Sequence, residues 1–447
     1  MGAVTCSVVD ALARSVDFHA PQIETMAREP LAELQLDRLR ATVRHAMENV
    51  PLHRARLHAA ALRAEDLRGL DDVQRLPFTT KADLRDHYPF GMFALPVDSL
   101  ARIHASSGTT GKPTVVGYSG GDLSTWADLM ARTLHCAGAR RGDLIHNAYG
   151  YGLFTGGLGT HYGAERLGAV VVPVSGGSTE RQIALITDFK PRVLCATPSY
   201  ALAIADLAEQ QGVDLTKSSL RVGLFGAEPW SQGMREEIEA RLGVRAIDNY
   251  GLSEVMGPGV AVECEQQDGL HGWEDHFLFE VIDPETGVPL PEGEAGELVI
   301  TTLTKQALPM LRYRTRDITR ITRERCDCGR THARILRVTG RNDDMLIIRG
   351  VNVYPSQIEA VLVGRPGIAP HYQIVVRREG RLDALAVEVE ALADVPAESY
   401  PLVGRDVAHH IKSLVGVTAE IVVKAPGEIP RSQGKAVRVR DLRPKES

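Results

Sequence analysis

Two periodicities divide this chain. Between Ile23 and about Ala61, apolar residues recur at helical spacing with Arg and Glu between them, which predicts a helical region. Farther along, short apolar runs alternate with segments of helical periodicity such as Thr179–Phe189 and Tyr200–Gln211. A repeated order of strand and helix predicts a mostly parallel sheet covered on both faces. The predicted strands of this sheet are Leu144–Ala148, Ala169–Val174, Arg192–Ala196, Val222–Phe225 and Arg245–Asn249.

The pattern changes after Glu254 to short strands separated by turns, such as Phe277–Ile282 and Gly296–Thr301. These segments predict antiparallel strands in a barrel-like subdomain. A stretch of glycine and acidic residues, Gly340–Asp344, predicts a linker. We therefore expect an α/β protein with a large N-terminal domain, residues 1–341, and a small α+β domain, residues 342–447.

Composition narrows the possible partners. The chain is 44% hydrophobic and 24% charged, as is typical of globular proteins, and its net charge of -6 does not favour a nucleic-acid partner. No apolar run approaches the ~20 residues of a membrane helix, and we see no N-terminal secretion signal. Six cysteines in 447 residues do not form a disulfide framework, so we expect a reducing cytoplasm.

A loop rich in glycine and hydroxyl groups lies between two predicted strands, Arg102–Ala105 and Thr114–Tyr118. Glycines allow backbone N–H groups to approach an anion, and hydroxyls and a lysine add further donors. The loop is not a Walker A motif, because its two glycines are too close and a proline follows its lysine. It predicts a phosphate-binding hairpin turn, and the alternative is a flexible surface loop. The residues concerned are Ser106, Ser107, Gly108, Thr109, Thr110, Gly111 and Lys112.

Four further motifs follow the loop in a fixed order. They are Asn249–Glu254, Tyr313–Asp317, Gly340–Met345 and Pro430–Lys435. With the loop, this ordered set resembles the adenylate-forming superfamily of acyl-CoA synthetases. The resemblance covers the chain from about Leu76 to Arg440 and implies the two-domain fold of those enzymes.

Three more segments resemble one branch of that superfamily, the phenylacetate–CoA ligases. They are Tyr149–Gly157, Phe225–Trp230 and Arg349–Pro355. The resemblance implies ATP-dependent formation of an aryl-adenylate and then of a coenzyme A thioester, with release of pyrophosphate and AMP. The implied cofactors are ATP, Mg²⁺ and coenzyme A, and the acid is of the phenylacetate, benzoate or anthranilate type.

The resemblance also assigns roles to single residues. Glu254 is expected to bind Mg²⁺, Ser253 to reach the α-phosphate, Asp317 to bind the ribose and Lys435 to stabilise the adenylation transition state. The alternatives are a solvent-facing turn carboxylate for Glu254, a surface pair with a nearby arginine for Asp317 and a solvated lysine for Lys435. The other expected nucleotide contacts are Gly226, Ala227, Glu228, Pro229, Asn249, Tyr250, Gly251 and Arg341.

Aromatic and glycine residues are grouped after the predicted strand that ends at Ala148, although aromatics make up only 5% of the chain. Large rings beside glycines form a flat slot that suits an aromatic acid. Core packing is the alternative for any single ring. The expected slot consists of Tyr149, Tyr151, Phe154, Gly156 and Gly157.

Asp343 matches the hinge position of the family. A change of φ and ψ at one residue there reorients the small domain, so the resemblance implies a mobile C-terminal domain that serves each half-reaction in turn.

The cysteines suggest a metal site. Cys326 and Cys328 are separated by one residue, and Cys264 precedes His271 in the same region of short strands. Three thiolates and one imidazole form a tetrahedral set for structural Zn²⁺. His332 is the alternative fourth ligand, and three reduced cysteines that never meet are the alternative to a site.

Three functions remain open from the residues. An aryl-acid–CoA ligase, with the acid and coenzyme A as partners, is the first. The second is an enzyme that passes the aryl group to a carrier protein, an amine or a hydroxyl, and the third is a nucleotide-binding module without catalysis. The resemblance suggests a homodimer, and we expect no nucleic-acid or membrane partner.

Overall fold

The computed structural model describes residues 17–106, 113–341, 346–348, 351–379, 382–431 and 436–443. Near the N-terminus, the predicted helical region is confirmed as three helices, and α3 has a proline at its start, where the missing N–H costs nothing. Leu39 and Val43 pack against Leu278, Leu303 and Leu311, so these helices cover the later strands of the large domain. The first helices are α1 (Pro21–Glu24), α2 (Arg28–Asn49), α3 (Pro51–Ala59) and α4 (Lys81–Asp86).

The hairpin predicted around the glycine-rich loop is confirmed. Strands β1 (Arg102–Ser106) and β2 (Thr114–Tyr118) pair antiparallel, with Ser106 opposite Thr114. The loop between them, residues 107–112, lies outside the described residues.

Alternating strands and helices follow, as the periodicity predicts. The strands are β3 (Leu144–Asn147), β4 (Val170–Val172), β5 (Val193–Ala196), β6 (Val222–Gly226) and β7 (Arg245–Leu252), all paired in parallel. The helices are α5 (Gly120–Cys136), α6 (Thr155–Leu167), α7 (Thr179–Phe189), α8 (Pro198–Gln210) and α9 (Gln232–Leu242).

The strands after Glu254 are antiparallel, as predicted, but they belong to two sheets and are not gathered in one barrel-like unit. The turn after β7 leads straight into a strand that pairs back with it, so the next strands extend the large sheet. Strands β8 (Gly257–Glu263), β9 (Leu270–Gly272), β13 (Ile321–Thr322) and β14 (Arg334–Ile335) complete a nine-stranded sheet of order β13-β14-β9-β8-β7-β6-β5-β3-β4. Strands β10 (Phe277–Ile282), β11 (Gly296–Thr302), β12 (Tyr313–Thr319) and β15 (Gly340–Arg341) form a separate four-stranded sheet.

The C-terminal part has its own α+β core. A mixed sheet of order β20-β19-β18-β21 carries two helices, and its apolar residues form a cluster separate from the large-domain core. None of the described helices is long and apolar enough to cross a membrane. The elements are β16 (Leu346–Ile348), β17 (Val351–Val353), α10 (Pro355–Leu362), β18 (Ile368–Glu379), β19 (Leu382–Ala391), α11 (Tyr400–Val415), β20 (Glu420–Lys424) and β21 (Val439–Asp441).

Candidate nucleotide and acid site

Asp317 is buried at a junction of two sheets. It lies in β12 opposite Arg341 of β15, and the Nη1 atom of Arg341 is 3.5 Å from its Oδ1 atom. The Tyr250 hydroxyl, from β7, donates to Asp317 Oδ2 at 2.5 Å. Three residues predicted to bind the nucleotide therefore meet, and the Asp317 carboxylate has a fixed orientation.

The surface-pair alternative for Asp317 does not hold in this structure. Asp317 is 8% exposed, and Arg314 and Arg316 instead pair with Glu297, at 2.5 and 3.7 Å. Burial and the adjacent Asp317 carboxylate raise the pKa of Tyr250 well above its ordinary value, so the tyrosine stays a hydrogen-bond donor.

Glu254 lies in the turn that follows β7. It is 6% exposed, which argues against the solvent-facing alternative, and Lys81 Nζ is 3.8 Å from its Oε1 atom. The Tyr313 hydroxyl donates to Glu254, and burial together with the Glu254 and Asp317 charges raises the pKa of Tyr313 well above its ordinary value. The charges of both predicted carboxylates thus act on Tyr313.

Ser253 precedes Glu254 and is fixed by a neighbouring helix. Its Oγ atom is 3.1 Å from Oγ1 of Thr155, the first residue of α6. Lys81, at the start of α4, was not assigned a role from the sequence. Only the fold shows that its amino group faces Glu254.

The base of the glycine-rich loop offers two buried hydroxyls. Ser106 Oγ and Thr114 Oγ1 lie opposite each other in the hairpin, and within the described part of the chain neither has a hydrogen-bond partner. Unpaired buried hydroxyls are costly, so both are available to donors or acceptors near the loop. Eight other predicted site residues lie outside the described residues: Ser107, Gly108, Thr109, Thr110, Gly111, Lys112, Asp343 and Lys435.

The segment after β6 combines close backbone packing with an exposed surface. A Cβ atom on Gly226 would lie 2.1 Å from the Asn249 carbonyl oxygen, so only glycine fits. Ala227 has a φ of 72°, and Ala227 and Pro229 are both exposed. An exposed backbone corner of this kind suits the predicted adenine contact.

The Glu228 carboxylate is already engaged. It accepts hydrogen bonds from the Ser199 amide at 2.8 Å, from the Ser199 hydroxyl, and from the Ala436 amide at 2.7 Å. Ala436 belongs to the small domain, so Glu228 joins the two domains. The sequence did not indicate this contact.

The predicted aromatic residues do not all face one space. Tyr149 is buried and its hydroxyl donates to the Leu224 carbonyl at 3.1 Å, as the packing alternative allows, and Gly156 lies against its ring. Phe154, in contrast, is 53% exposed.

Tyr151, another aromatic residue of the predicted slot, has polar side chains around its hydroxyl group. Its hydroxyl accepts from Asn147 Nδ2 at 2.8 Å and lies 3.2 Å from His161 Nδ1. A Cβ atom on Gly157 would lie 2.6 Å from the Gly150 carbonyl and 3.0 Å from the Tyr151 ring, so the glycine permits this approach. Asn147 and His161 were not predicted, because each is isolated in the sequence.

The candidate metal residues are brought together. The ligand atoms of Cys264, His271, Cys326 and Cys328 lie within 4.8 Å of one another, and all four residues are buried. Cys328 Sγ is 3.3 Å from His271 Nε2, and Cys264 Sγ is 3.8 Å from Cys326 Sγ. The alternative in which the cysteines never meet is therefore wrong.

His332 does not belong to this cluster. Its Nε2 atom is 2.9 Å from the Ile23 carbonyl oxygen, and its Nδ1 atom is 3.1 Å from the Glu274 amide nitrogen. The pairing of β9 with β14 instead brings His271 to the cysteine turn.

Comparison with known proteins covers almost the whole chain. The AMP-binding enzyme family matches residues 18–304, and the AMP-binding enzyme C-terminal domain matches residues 350–443. The phenylacetate-coenzyme A ligase of Thermus thermophilus is 54% identical over 95% of this chain and 100% of that protein. The Escherichia coli protein of the same name is 55% identical over 94% of this chain and 97% of its own length.

Among solved structures, 2-hydroxyisobutyryl-CoA ligase provides two states for comparison. The postadenylation state in complex with R3-HIB-AMP has a TM-score of 0.89, with 31% identity over 94% of this chain and 91% of that one. The thioesterification state, in complex with 2-HIB-AMP and CoA, has a TM-score of 0.71, with 32% identity over 95% and 92%. The sequence identity to the two structures is nearly the same, so the higher TM-score to the first reflects the arrangement of the domains. The domains here are therefore arranged as in the postadenylation state.

Proposed function

Since this chain belongs to the AMP-binding enzymes, and within them to the phenylacetate–CoA ligase branch, we propose that its acid substrate is phenylacetate or a close aryl analogue. The enzyme activates an acid with ATP and forms its thioester with coenzyme A. Identity above 50% to the phenylacetate-coenzyme A ligases over nearly the whole chain supports the choice of acid.

The observation that carries the proposal is the grouping of Tyr250, Asp317 and Arg341 beside Glu254. The Asp317 carboxylate, oriented by the Tyr250 hydroxyl at 2.5 Å, would accept hydrogen bonds from the ribose hydroxyls. The exposed corner at Ala227 and Pro229 would lie along the adenine. Ser106 and Thr114 would place the phosphate loop, and Ser253 would donate to the α-phosphate.

Glu254 fits a magnesium ligand. Carboxylate oxygens are the hard donors that Mg²⁺ prefers, and the Lys81 nitrogen, at 3.8 Å, lies beyond hydrogen-bonding distance of the carboxylate. A bound Mg²⁺ would offset the charge of the triphosphate. The residues of the chain then orient the acid so that its carboxylate oxygen attacks the α-phosphorus and pyrophosphate leaves.

The second half-reaction transfers the acyl group from AMP to coenzyme A. The coenzyme A thiol attacks the carbonyl carbon of the adenylate, a C–S bond forms, and the C–O bond to AMP breaks. We assign Lys435 to charge stabilisation in the first half-reaction, on the match of its motif to the family.

The proposed acid site consists of Tyr151, Asn147, His161 and Gly157. The Tyr151 ring lies against Gly157, and its hydroxyl is held by Asn147 at 2.8 Å. A ring that is held in one orientation offers a flat face to an aryl group. Phe154, half-exposed at the same turn, would cover the ring from the outer side.

A test uses acid-dependent exchange between pyrophosphate and ATP. Phenylacetate should support faster exchange than benzoate, anthranilate or 2-hydroxyisobutyrate, and added coenzyme A should yield the thioester. Glu254→Gln serves as the impaired control. Exchange with an aliphatic acid alone would contradict the aryl assignment, and exchange without thioester would favour a different acceptor.

We also propose that Cys264, His271, Cys326 and Cys328 bind a structural Zn²⁺. Four protein ligands of the Cys₃His type leave no open position, which is typical of structural sites. Arg330 Nη1 lies 3.7 Å from Cys328 Sγ and would offset the net negative charge of three thiolates with Zn²⁺.

The proposed state in the cell is a cytoplasmic homodimer. The cysteines in the described part of the chain are free thiols, in keeping with a reducing compartment. The dimer rests on the family resemblance, and sedimentation of the purified protein would test it.

A further inference from the structure

One carboxylate of the large domain holds two side chains of the small domain. Asp206 lies on α8, and its Oδ2 atom is 2.7 Å from His371 Nε2 and 3.1 Å from Arg431 Nε. His371 lies in β18, and Arg431 follows β20, so both belong to the C-terminal domain. The Asp206 side chain is only 16% exposed, which strengthens these contacts relative to a surface pair.

Both ends of one short stretch are tied to the large domain. Arg431 immediately precedes residues 432–435, and Ala436 immediately follows them. Arg431 contacts Asp206, and the Ala436 amide donates to Glu228 at 2.7 Å. Four residues separate these two anchors in the sequence. Lys435, the proposed adenylation residue, is one of the four.

Asp206 and Arg431 are each also held within their own domain. Arg241 Nη2, on α9, lies 2.8 Å from Asp206 Oδ1. In the small domain, Arg431 forms two hydrogen bonds to the buried Glu390, at 2.6 and 2.7 Å. When the domains separate, Asp206 keeps Arg241 and Arg431 keeps Glu390. Neither of these two charges is then left unpaired, so the contact between the domains can open and close at low cost.

The Asp206 carboxylate is ionised. Its burial opposes ionisation, but the hydrogen bonds and charges of His371 and Arg241 outweigh burial and hold the pKa of Asp206 below its ordinary value. A charged acceptor makes stronger hydrogen bonds than a neutral one.

We propose that Asp206 is a positioning residue for adenylation. Through His371 and Arg431, it holds the small domain against the large domain in the arrangement that serves adenylation, and it releases the small domain for the thioester step. This inference rests on the proposed function. It gives Asp206 a role in one half-reaction only, which a merely structural residue would not have.

The test compares Asp206→Asn with Glu209→Gln. Glu209 lies on the same helix and contacts the same Arg241, with its Oε1 atom 2.8 Å from Arg241 Nε, but none of its described contacts reaches the small domain. Loss of one charge-assisted contact should slow acid-dependent pyrophosphate exchange by about tenfold in Asp206→Asn. Thioester formation from supplied acyl-adenylate should be as fast as in the parent or faster, and Glu209→Gln should match the parent in both assays.

A second readout does not depend on activity. Amide hydrogen exchange in residues 436–443 should be faster in Asp206→Asn than in the parent and unchanged in Glu209→Gln. If Asp206→Asn does not fold, His371→Phe removes the same contact from the other domain and is judged by the same criteria.

Parent-like pyrophosphate exchange in Asp206→Asn, or equal loss of both half-reactions, would overturn the inference. If the parent itself supports no exchange with any acid, the proposed function fails instead. Hydrogen exchange then still decides whether Asp206 holds the small domain.

Discussion

At the scale of single residues, Lys305 places an amino group inside the large domain behind the candidate site. It is 2% exposed, and its Nζ atom lies 3.5 Å from the centre of the Tyr118 ring and 4.0 Å from Met256 Sδ. Burial lowers the pKa of Lys305 to about 7, against an opposing contribution from Asp122. Its described contacts are to an aromatic ring and a thioether and not to a carboxylate, so its charge is costly at low pH.

Lys305→Met should therefore stabilise the protein, more at pH 6 than at pH 9. The unfolded lysine titrates near pH 10.4, and the folded one at about 7, so between these values the unfolded chain binds more protons and parental stability rises with pH. The gain in the free energy of unfolding should be about 4 to 5 kcal/mol at pH 6 and should shrink by about 2.7 kcal/mol at pH 9. Urea denaturation measures both values.

Lys412→Met is the matched control, because Lys412 is exposed. Its effect should not depend on pH in this range. If Lys305→Met raised the free energy of unfolding equally at pH 6 and pH 9, burial would not lower the pKa of Lys305, and the prediction would be wrong.

Lys435 is assigned to adenylation from its motif. Lys435→Ala should slow acid-dependent pyrophosphate exchange ~100- to 1000-fold, the usual effect of removing one donor that stabilises a transition state. Thioester formation from supplied acyl-adenylate should continue. Equal damage to both half-reactions would assign Lys435 a structural role or a role in both steps.

At the scale of elements, the strands beyond β7 bring together the Cys₃His cluster proposed to bind zinc. Cys264 follows β8 directly, His271 lies in β9, and Cys326 and Cys328 lie in the turn between β13 and β14. These strands are neighbours in the nine-stranded sheet, so its order brings together residues up to 64 positions apart in the sequence.

Protein purified without added metal should contain about one zinc per chain, because a closed site of this kind retains its ion. Cys326→Ser should lose the zinc and melt about 10 °C lower. Elemental analysis and thermal denaturation measure the two effects. Cys195→Ser, which alters a buried cysteine of β5, should keep the zinc. A metal-free parent of full stability would refute the site.

At the scale of the whole molecule, polar contacts join the two domains. Glu359 of α10 accepts from the Ser231 amide at 2.8 Å and from the Tyr372 hydroxyl at 2.6 Å. Arg438 Nη2 lies 3.3 Å from Ser199 Oγ. Polar contacts of this kind permit relative domain motion more readily than a large apolar interface does.

Asp343→Pro should leave one half-reaction working and impair the other, because proline fixes φ at the proposed hinge. Separate assays of pyrophosphate exchange and of thioester formation from supplied adenylate measure the two steps. Normal rates in both would contradict alternation of the small domain about residue 343.

Much of the fold could be predicted because it depends on local properties. The apolar spacing over Thr179–Phe189 predicted α7 to the residue, and the runs around Val193 and Val222 predicted the parallel strands. Backbone geometry dictates these periodicities over a few residues, so no distant contact is needed to recognise them. The residue types of the nucleotide and metal sites were likewise visible in short motifs.

Only the tertiary structure decided which of these residues meet. Strand register selected His271 over His332, and packing against β6 turned Tyr149 into the core. The partners of Asp206 and the burial of Lys305 had no signal in the sequence, because their contacts join residues far apart along the chain. Such contacts depend on the order and register of strands and on the position of one domain against the other, which the local pattern of a chain does not contain.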